Sequence, residues 1–367
     1  MGSWFVSQGY GGTITHKGDW GQALDFVIHD DDHKTYRYPG TRAEDFYCFG
    51  KPVLACGDGV VEELIDHIDD NEIGDINAKD NWGNSIVIRH TGGLYSKVSH
   101  LKKNSAKVKY GDFVKQGDII GLCGNSGRSP EPHLHFQLQA TAYIGSKTLA
   151  YPFSYYISQL DDEKAFNSYQ IPQEGMVVKS LSINSPLKRA FNFQPGAMVK
   201  VVSGSREEII EVQTDDLNQT YLYSRSTRCV AYFINNGTSF YFTAFYGNHS
   251  SLLYFFYLAA YKVVFTDDAD NSAADVYPLQ LLWAKPIRWV HDFVAPFYQF
   301  IKLNYQSNNQ TENEKTIIHG KQYKTVFRHK KQTMHSTIMV EHGSIQGFRI
   351  NFNGVKVEAE CIAENTY

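Results

Sequence analysis

The most chemically suggestive stretch of the chain is His133-Leu134-His135, set within Pro132-His133-Leu134-His135-Phe136-Gln137-Leu138-Gln139, where polar and apolar residues alternate without a break. Side chains in a strand repeat every second residue, so His133, His135, Gln137 and Gln139 share one face and Leu134, Phe136 and Leu138 the opposite, core-facing one. Two imidazoles then stand on one side of a sheet about 6.5–7 Å apart. One can hold a metal ion while its neighbour reaches a group reacting beside that metal. An isolated His-x-His is as compatible with two surface histidines on a half-buried strand. His16, Asp25 and His100, which lie in or beside strands and turns of the same region, tip the balance. Imidazoles with one carboxylate and no cysteine are the donor set of a catalytic zinc site, where three protein groups bind and one position stays open. Two further histidines nearby can shuttle protons for a hydrolysis near neutral pH.

Such side chains need rigid elements to aim them. Ala23 to Ile28 alternates like a strand and embeds Asp25. Gly50 to Leu64 reads as two strands about a Gly57-Asp58-Gly59 turn. Asn84–His90, the turn Thr91-Gly92-Gly93 and Leu94–Leu101 read as a hairpin ending at Ser99-His100-Leu101. Short strands broken by glycine continue through Val108–Gly121, and a loop from Gly124 to Pro132 delivers the chain into the His-x-His strand. Strands at this interval without long helical periodicity predict an antiparallel β sandwich or open barrel. Tyr95 and Asn84 are candidate substrate contacts, weighed against cross-strand packing for the tyrosine and a turn role for the asparagine.

The predicted organisation is mainly β: a first domain over 4–156, a linker over 157–175, and a second strand-rich domain over 176–367. Within the second, Leu281–Leu303 reads as one helical segment interrupted at Pro286 and Pro296. Leu252–Phe265 reads as buried strand, too short to span a bilayer and carrying Lys262. Gln306–Lys315 reads as a mobile polar connection. His29, His33 and His67 fall in polar inserts and read as solvated, as does the Asp30-Asp31-Asp32 triplet, which lacks EF-hand spacing. His319, His329, His335 and His342 read as surface residues.

Composition narrows the classes. At 367 residues the chain exceeds what one core usually organises. A net charge of −4 gives no reason to expect nucleic acid as a partner. Tyrosine and phenylalanine are abundant (24 and 23) and proline scarce (11), which favours β structure. The 5 cysteines are widely spaced with no C-x-x-C pair, which argues against a disulfide framework or a cysteine-ligated zinc. No paired carboxylates suited to glycoside hydrolysis are evident in the first unit. Met1-Gly2-Ser3 reads as a cloning remnant, so a signal, lipid anchor or fused membrane segment is expected to precede this stretch in the natural protein.

The ordered series His16, Asp25-Phe26, Pro52-Val53-Leu54-Ala55, Gly57-Asp58-Gly59-Val60-Val61, Gly83-Asn84, Ile88-Arg89-His90, His100-Leu101, Gly111-Asp112, Val114 to Gly121, Gly124-Asn125-Ser126-Gly127 and Pro132 to Phe136 resembles the LytM/lysostaphin-type zinc metallopeptidases of family M23, over residues 10–140. The resemblance implies a small antiparallel β fold with a groove over one Zn2+. It also implies cleavage of peptide stems or cross-bridges in peptidoglycan, in the periplasm or at the cell surface of a bacterium. By motif, His16, Asp25 and His135 correspond to the zinc ligands, and His133 and His100 to the catalytic histidines. One feature departs from the pattern: the usual H-x-x-x-D spacing is replaced by eight residues between His16 and Asp25, with Gly21 where the histidine would fall. A longer loop must bring His16 back to the metal. Asp19 is the rival ligand, but it lies in a glycine-rich turn rather than a strand. A site that fails to assemble would make the domain a peptidoglycan-binding or amidase-activating module instead.

Overall fold

The computed structural model describes residues 2–161, 163–266, 273–276, 285–296, 301–326 and 329–364. It divides into two compact units, Met1–Ser180 and Leu181–Tyr367. The first contains twelve strands: β1 (Ser3–Gln8), β2 (Ala23–Val27), β3 (Pro52–Leu54), β4 (Gly59–Ile65), β5 (Asn84–Arg89), β6 (Tyr95–Leu101), β7 (Phe113–Val114), β8 (Ile119–Leu122), β9 (Leu134–Gln139), β10 (Tyr156–Leu160), β11 (Glu163–Asn167) and β12 (Val177–Ser180). Ten form one sheet in the order β11-β10-β12-β1-β2-β9-β6-β5-β4-β7, and β3 pairs separately with β8. All these pairings are antiparallel. The expected Asn84–Leu101 hairpin is present as β5–β6. The two strands about Gly57-Asp58-Gly59 also form, but they pair with other partners rather than with each other.

The three central strands β2, β9 and β6 are covered on both faces. One side packs on a core that includes Ile86, Ile88, Val98, Leu101, Phe136 and Leu138. The opposite side is buried too, but by polar residues: Asp25, Lys97, Ser99, His135, Gln137 and Gln139 are all under 7% exposed. A sheet face this polar and this dry must satisfy its groups internally.

The linker expected over 157–175 is not a linker at its start. β10 and β11 form a hairpin within 156–167, and β10 pairs with β12, which in turn pairs with β1. The sequence looked loop-like because β11 is an edge strand with exposed Glu163, Lys164 and Ala165, and charged edges are how sheets avoid further pairing.

The second unit is an antiparallel sheet of twelve strands among the described residues. From Met198–Ser203 it runs one way through Arg206–Thr214, Thr220–Ser224, Cys229–Asn235 and Ser239–Tyr246 to Lys262–Val264. It runs the other way through Val355–Glu364, Ser344–Phe352, His329–Glu341, Lys315–Val326 and Ile301–Glu312 to Ala273–Val276. Its core centres on the helix Leu252–Ala259, every residue of which is buried. The apolar run Leu252–Phe265 is therefore helix first and strand only at Lys262–Val264. An all-round apolar segment suits a helix enclosed by sheet, and Ser251 and Glu208 cap it by accepting from the amides of Tyr254 and Leu252 at 3.0 and 2.7 Å. Gln306–Lys315, expected as a mobile connection, is instead the end of the strand Ile301–Glu312, a tight turn and the start of the strand Lys315–Val326; Ser307 and Asn309 are buried and donate to the carbonyls of Lys262 and Val264. Of the predicted helix over Leu281–Leu303, Lys285–Val294 is helical, with Pro286 in its first turn where proline is tolerated. Residues 281–284 and 297–300 lie outside the described residues, and strand begins at Ile301.

Candidate metal centre and active site

The site is built on a single cross-strand row. Gln8 on β1 pairs with Asp25 on β2, Asp25 with His135 on β9, and His135 with Ser99 on β6. Paired residues in an antiparallel sheet project to the same face, so the register alone sets Asp25 beside His135. His16 joins them from the β1–β2 loop. Gln8 brings it there: its Oε1 accepts from the amides of Ile14 and Thr15, both at 3.0 Å, while its Nε2 donates to Thr15 Oγ1 at 2.7 Å and to Asp25 Oδ2 at 2.8 Å. One buried amide thus folds the long loop back onto the carboxylate. His16, Asp25 and His135 each offer a donor atom within 4.8 Å of the others, and all three are buried. Asp19, the rival, is exposed and pairs with Lys147 at 2.9 Å.

Hydrogen bonds fix which ring nitrogen faces the centre. His16 Nδ1 donates to the Gly9 carbonyl at 2.9 Å, leaving Nε2 buried, without a hydrogen-bond partner and 3.3 Å from Asp25 Oδ2. For His135 the constraint arrives through a relay. Gln139 Nε2 donates to two backbone carbonyls, Thr141 at 2.7 Å and Tyr143 at 2.9 Å, so its Oε1 faces Gln137. Gln137 Nε2 donates to that oxygen at 2.7 Å, which turns Gln137 Oε1 toward His135. His135 Nε2–H donates to it at 3.0 Å, and the lone pair of the neutral ring is left on Nδ1, 2.9 Å from Asp25 Oδ1.

Electrostatics agree with this arrangement. Burial works to raise the Asp25 carboxyl, but the imidazoles of His133, His135 and His16 outweigh it and hold the group well below the ordinary aspartate range. Burial draws His135 below the ordinary histidine value despite its carboxylate neighbour. Burial also opposes charge on His16, yet the Asp25 carboxylate 3.3 Å away raises it. Two buried imidazole nitrogens thus converge on a carboxylate that stays ionised. One divalent cation could serve both nitrogens at once, and two imidazoles with one carboxylate are a donor set that zinc accepts.

His100 and His133 stand beside this centre, their rings 4.7 Å apart, with His100 also 5.8 Å from the His135 ring. His100 Nδ1 donates to the Ser126 carbonyl at 2.8 Å, and His133 Nδ1 to the Glu131 carbonyl at 2.9 Å. Each ring is left with its lone pair on Nε2, and that of His133 lies 4.0 Å from Asp25 Oδ1. Burial pulls His100 well below the ordinary histidine value, with the nearby imidazoles adding to the effect. His100 holds a left-handed backbone (φ 60), uncommon for a histidine and a form of strain that collects at functional sites. The Gly124–Pro132 loop supplies its support. Gly83 and Gly127 meet so closely that a Cβ on Gly127 would lie 2.3 Å from Gly83 N, and both have positive φ.

A groove of about 1160 Å³ opens over the centre, lined by His16, Asp25, His100, His133 and His135 and walled by Trp20, Trp82 and Arg128. Tyr95 and Asn84 do not line it. Tyr95 pairs with Gln139 at the far end of the site face. Asn84 is fully buried and braces the fold, donating to the carbonyls of Ile68 and Leu101 and accepting from the Ile68 amide. His29 and His33, expected to be solvated, both line the groove; His33 is exposed as expected, while His29 is half-buried. Residue types gave no role to Gln8 or Lys97, and placed Gln137 on the site face without a role, because the partners of each are set only by the fold. Lys97 is fully buried beneath the groove wall, with Nζ 3.1 Å from the Trp82 ring centroid and donating to the Ile144 carbonyl at 2.8 Å.

Residues 40–146 match the family described as Peptidase family M23. The chain contains an M23 peptidase domain. The matched residues include His100, His133 and His135, while His16 and Asp25 precede them. The chain is 42% identical over 91 residues to an uncharacterized metalloprotease of Buchnera aphidicola subsp. Baizongia pistaciae, covering 24% of this chain and 20% of the relative. It is 39% identical over 88 residues to the peptidoglycan DD-endopeptidase ShyC of Vibrio cholerae, covering 24% and 17%. To lysostaphin of Staphylococcus simulans it is 42% identical over 65 residues, covering 17% and 13%. The chain thus matches about a fifth or less of the length of these relatives. The catalytic domain of lysostaphin from S. simulans aligns with 40% of this chain and 86% of its own, at 24% identity and a TM-score of 0.26.

Proposed function

We propose that the first unit is a zinc-dependent endopeptidase that hydrolyses peptide bonds in the stems or cross-bridges of peptidoglycan, outside the cytoplasm. The observation that carries the reading is the convergence of His16, Asp25 and His135 within 4.8 Å, their free lone pairs selected by hydrogen bonds to Gly9 and Gln137. His16 Nε2, Asp25 and His135 Nδ1 would hold the ion. Zinc, when bound, supplies Lewis acidity, drawing electron density from the scissile carbonyl and making a water nucleophilic near neutral pH. The chain's own residues do the rest. The groove holds the peptide across the row of ligands. His100 stays neutral, so its Nε2 lone pair is fit to accept the proton of the attacking water. His133, with Nε2 4.0 Å from Asp25 Oδ1, faces the same centre. It presents N–H to the oxyanion and returns a proton to the leaving amine.

The test is zinc stoichiometry by elemental analysis together with cleavage of purified muropeptides. The expected result is one tightly held zinc per chain, cleavage abolished by chelator and restored by zinc, and loss of both properties in His135→Ala. Tight zinc without cleavage of any stem or bridge peptide would move the assignment to a binding module.

A further inference from the structure

We infer that His29 and His33 form a second, weaker divalent-metal site at the distal end of the groove, whose occupancy by zinc obstructs substrate; this rests on the peptidase reading for its effect, but not for the binding itself. His29 lies four residues beyond Asp25, about 13 Å along extended chain, and both line the one groove. Its Nδ1 donates to the Asp30 carbonyl at 2.9 Å, and its Nε2 is buried with no hydrogen-bond partner. This repeats the arrangement of His16, where a carbonyl claims Nδ1 and leaves a buried lone pair on Nε2. An unsatisfied buried polar atom carries a desolvation cost that an incoming donor or cation removes.

His33 makes the cation the better answer. Its ring centroid lies 5.0 Å from that of His29, against 5.4 Å for His16 and His135, so the spacing suits two imidazoles sharing one ion. His33 is exposed at this end of the groove and brings a second imidazole to the same place. The turn that places His33 is built for the purpose. Asp30 Oδ1 accepts from the amides of Asp32 and Lys34 at 3.0 and 2.9 Å, Tyr47 donates to Asp30 Oδ2 at 3.0 Å, and His33 takes a left-handed backbone (φ 60) that folds its ring back over His29. Two imidazoles completed by water select zinc, nickel or copper over calcium or magnesium, and bind more weakly than three protein ligands. The ion enters without any change of oxidation state.

Equilibrium dialysis against Zn2+ with elemental analysis tests this on the intact chain, using His29→Ala, His33→Asn (which tolerates the left-handed backbone) and His135→Ala. Wild type is expected to bind one zinc tightly and a second at higher concentration. His29→Ala and His33→Asn should weaken the second uptake by about tenfold or more and relieve inhibition by excess zinc. His135→Ala should lose the tight equivalent and keep the weak one. A weak equivalent unchanged in both His29→Ala and His33→Asn, or no second equivalent in wild type, overturns the proposal. Loss of the tight equivalent from wild type, with the weak one intact, would count against the peptidase reading and leave this site standing.

Discussion

Gln137→Leu is the substitution that isolates the relay feeding the metal centre. Gln137 is 1% exposed and touches no candidate substrate position, yet its Oε1 accepts the proton that fixes the His135 tautomer. Leucine has similar length and fills the space, so packing is largely preserved. What is lost is the acceptor. His135 can then carry its proton on Nδ1, where Asp25 Oδ1 at 2.9 Å accepts it directly. Metal binding must reverse that tautomer and leave Nε2–H without its acceptor in a buried place. An unmade buried hydrogen bond costs about 1–3 kcal/mol, which at 1.4 kcal/mol per decade is about 5- to 150-fold in affinity. Partners of this kind typically contribute about 10- to 100-fold to metal affinity or activity.

The assay is competition for zinc with a chromophoric chelator, alongside peptide cleavage at saturating zinc. Expected are weaker zinc binding by about one to two decades, partial recovery of rate at high zinc, and a far smaller loss in Gln137→Glu, which restores an acceptor. Gln139→Leu should show a weaker version, since Gln137 keeps a contact to the Ser146 carbonyl at 3.4 Å. Zinc affinity unchanged in Gln137→Leu, with a folded protein, would refute the claim that the glutamine pair sets the ligand's tautomer.

Other consequences can be checked in parallel. His100→Ala and His133→Ala should retain zinc while kcat falls by about 10²–10⁴, the usual range for a lost general acid or base; steady-state kinetics with metal analysis decides. Gly127→Ala places a methyl 2.3 Å from Gly83 N at positive φ, so the Ser126 carbonyl that holds His100 must shift. Destabilisation of about 1–3 kcal/mol with reduced kcat is expected, read by urea unfolding and kinetics. Burial pulls the Lys97 ammonium well below the ordinary lysine value. Between that lowered value and about 10.4 the unfolded chain binds more protons, so this group's contribution makes stability rise with pH across the window and level off above it. The difference in unfolding free energy between wild type and Lys97→Met, measured from pH 8 to 11, should therefore shrink as pH rises; a difference independent of pH would show that Lys97 titrates as in water.

Much of this architecture is legible in local alternation. The stretches 23–28, 84–101 and 133–139 each show a two-residue period, and each became a central strand of the first unit. The histidines and Asp25 are legible for the same reason, since a polar residue recurring on a strand face has a known direction. Pairing at long range is not legible. β10 and β11 are short and one is charged, so only β12 and the N-terminal β1 reveal that they extend the sheet. Ser307 and Asn309 look like loop residues until the carbonyls they meet, Lys262 and Val264, are placed opposite them. His29 looks solvated because a polar turn surrounds it, yet its ring is half-buried and lines the groove.

The eight-residue gap between His16 and Asp25 shows where spacing rules lose force. A short H-x-x-x-D places two ligands by local geometry, so any change in count appears fatal. Here the ligand is placed by a different device: the backbone of Ile14 and Thr15 is tied to Gln8, and Gln8 is tied to Asp25. Loop entropy grows only slowly with length, so a few added residues cost little once both ends of the excursion are pinned. The intervening turn, Gly18–Trp20, is then free to project Trp20 against Trp82 at 5.8 Å and build the groove wall. Gln8→Ala should therefore harm zinc binding more than removal of any loop residue between Lys17 and Gly21. The same zinc competition assay would show whether the clamp, rather than the sequence interval, sets the ligand.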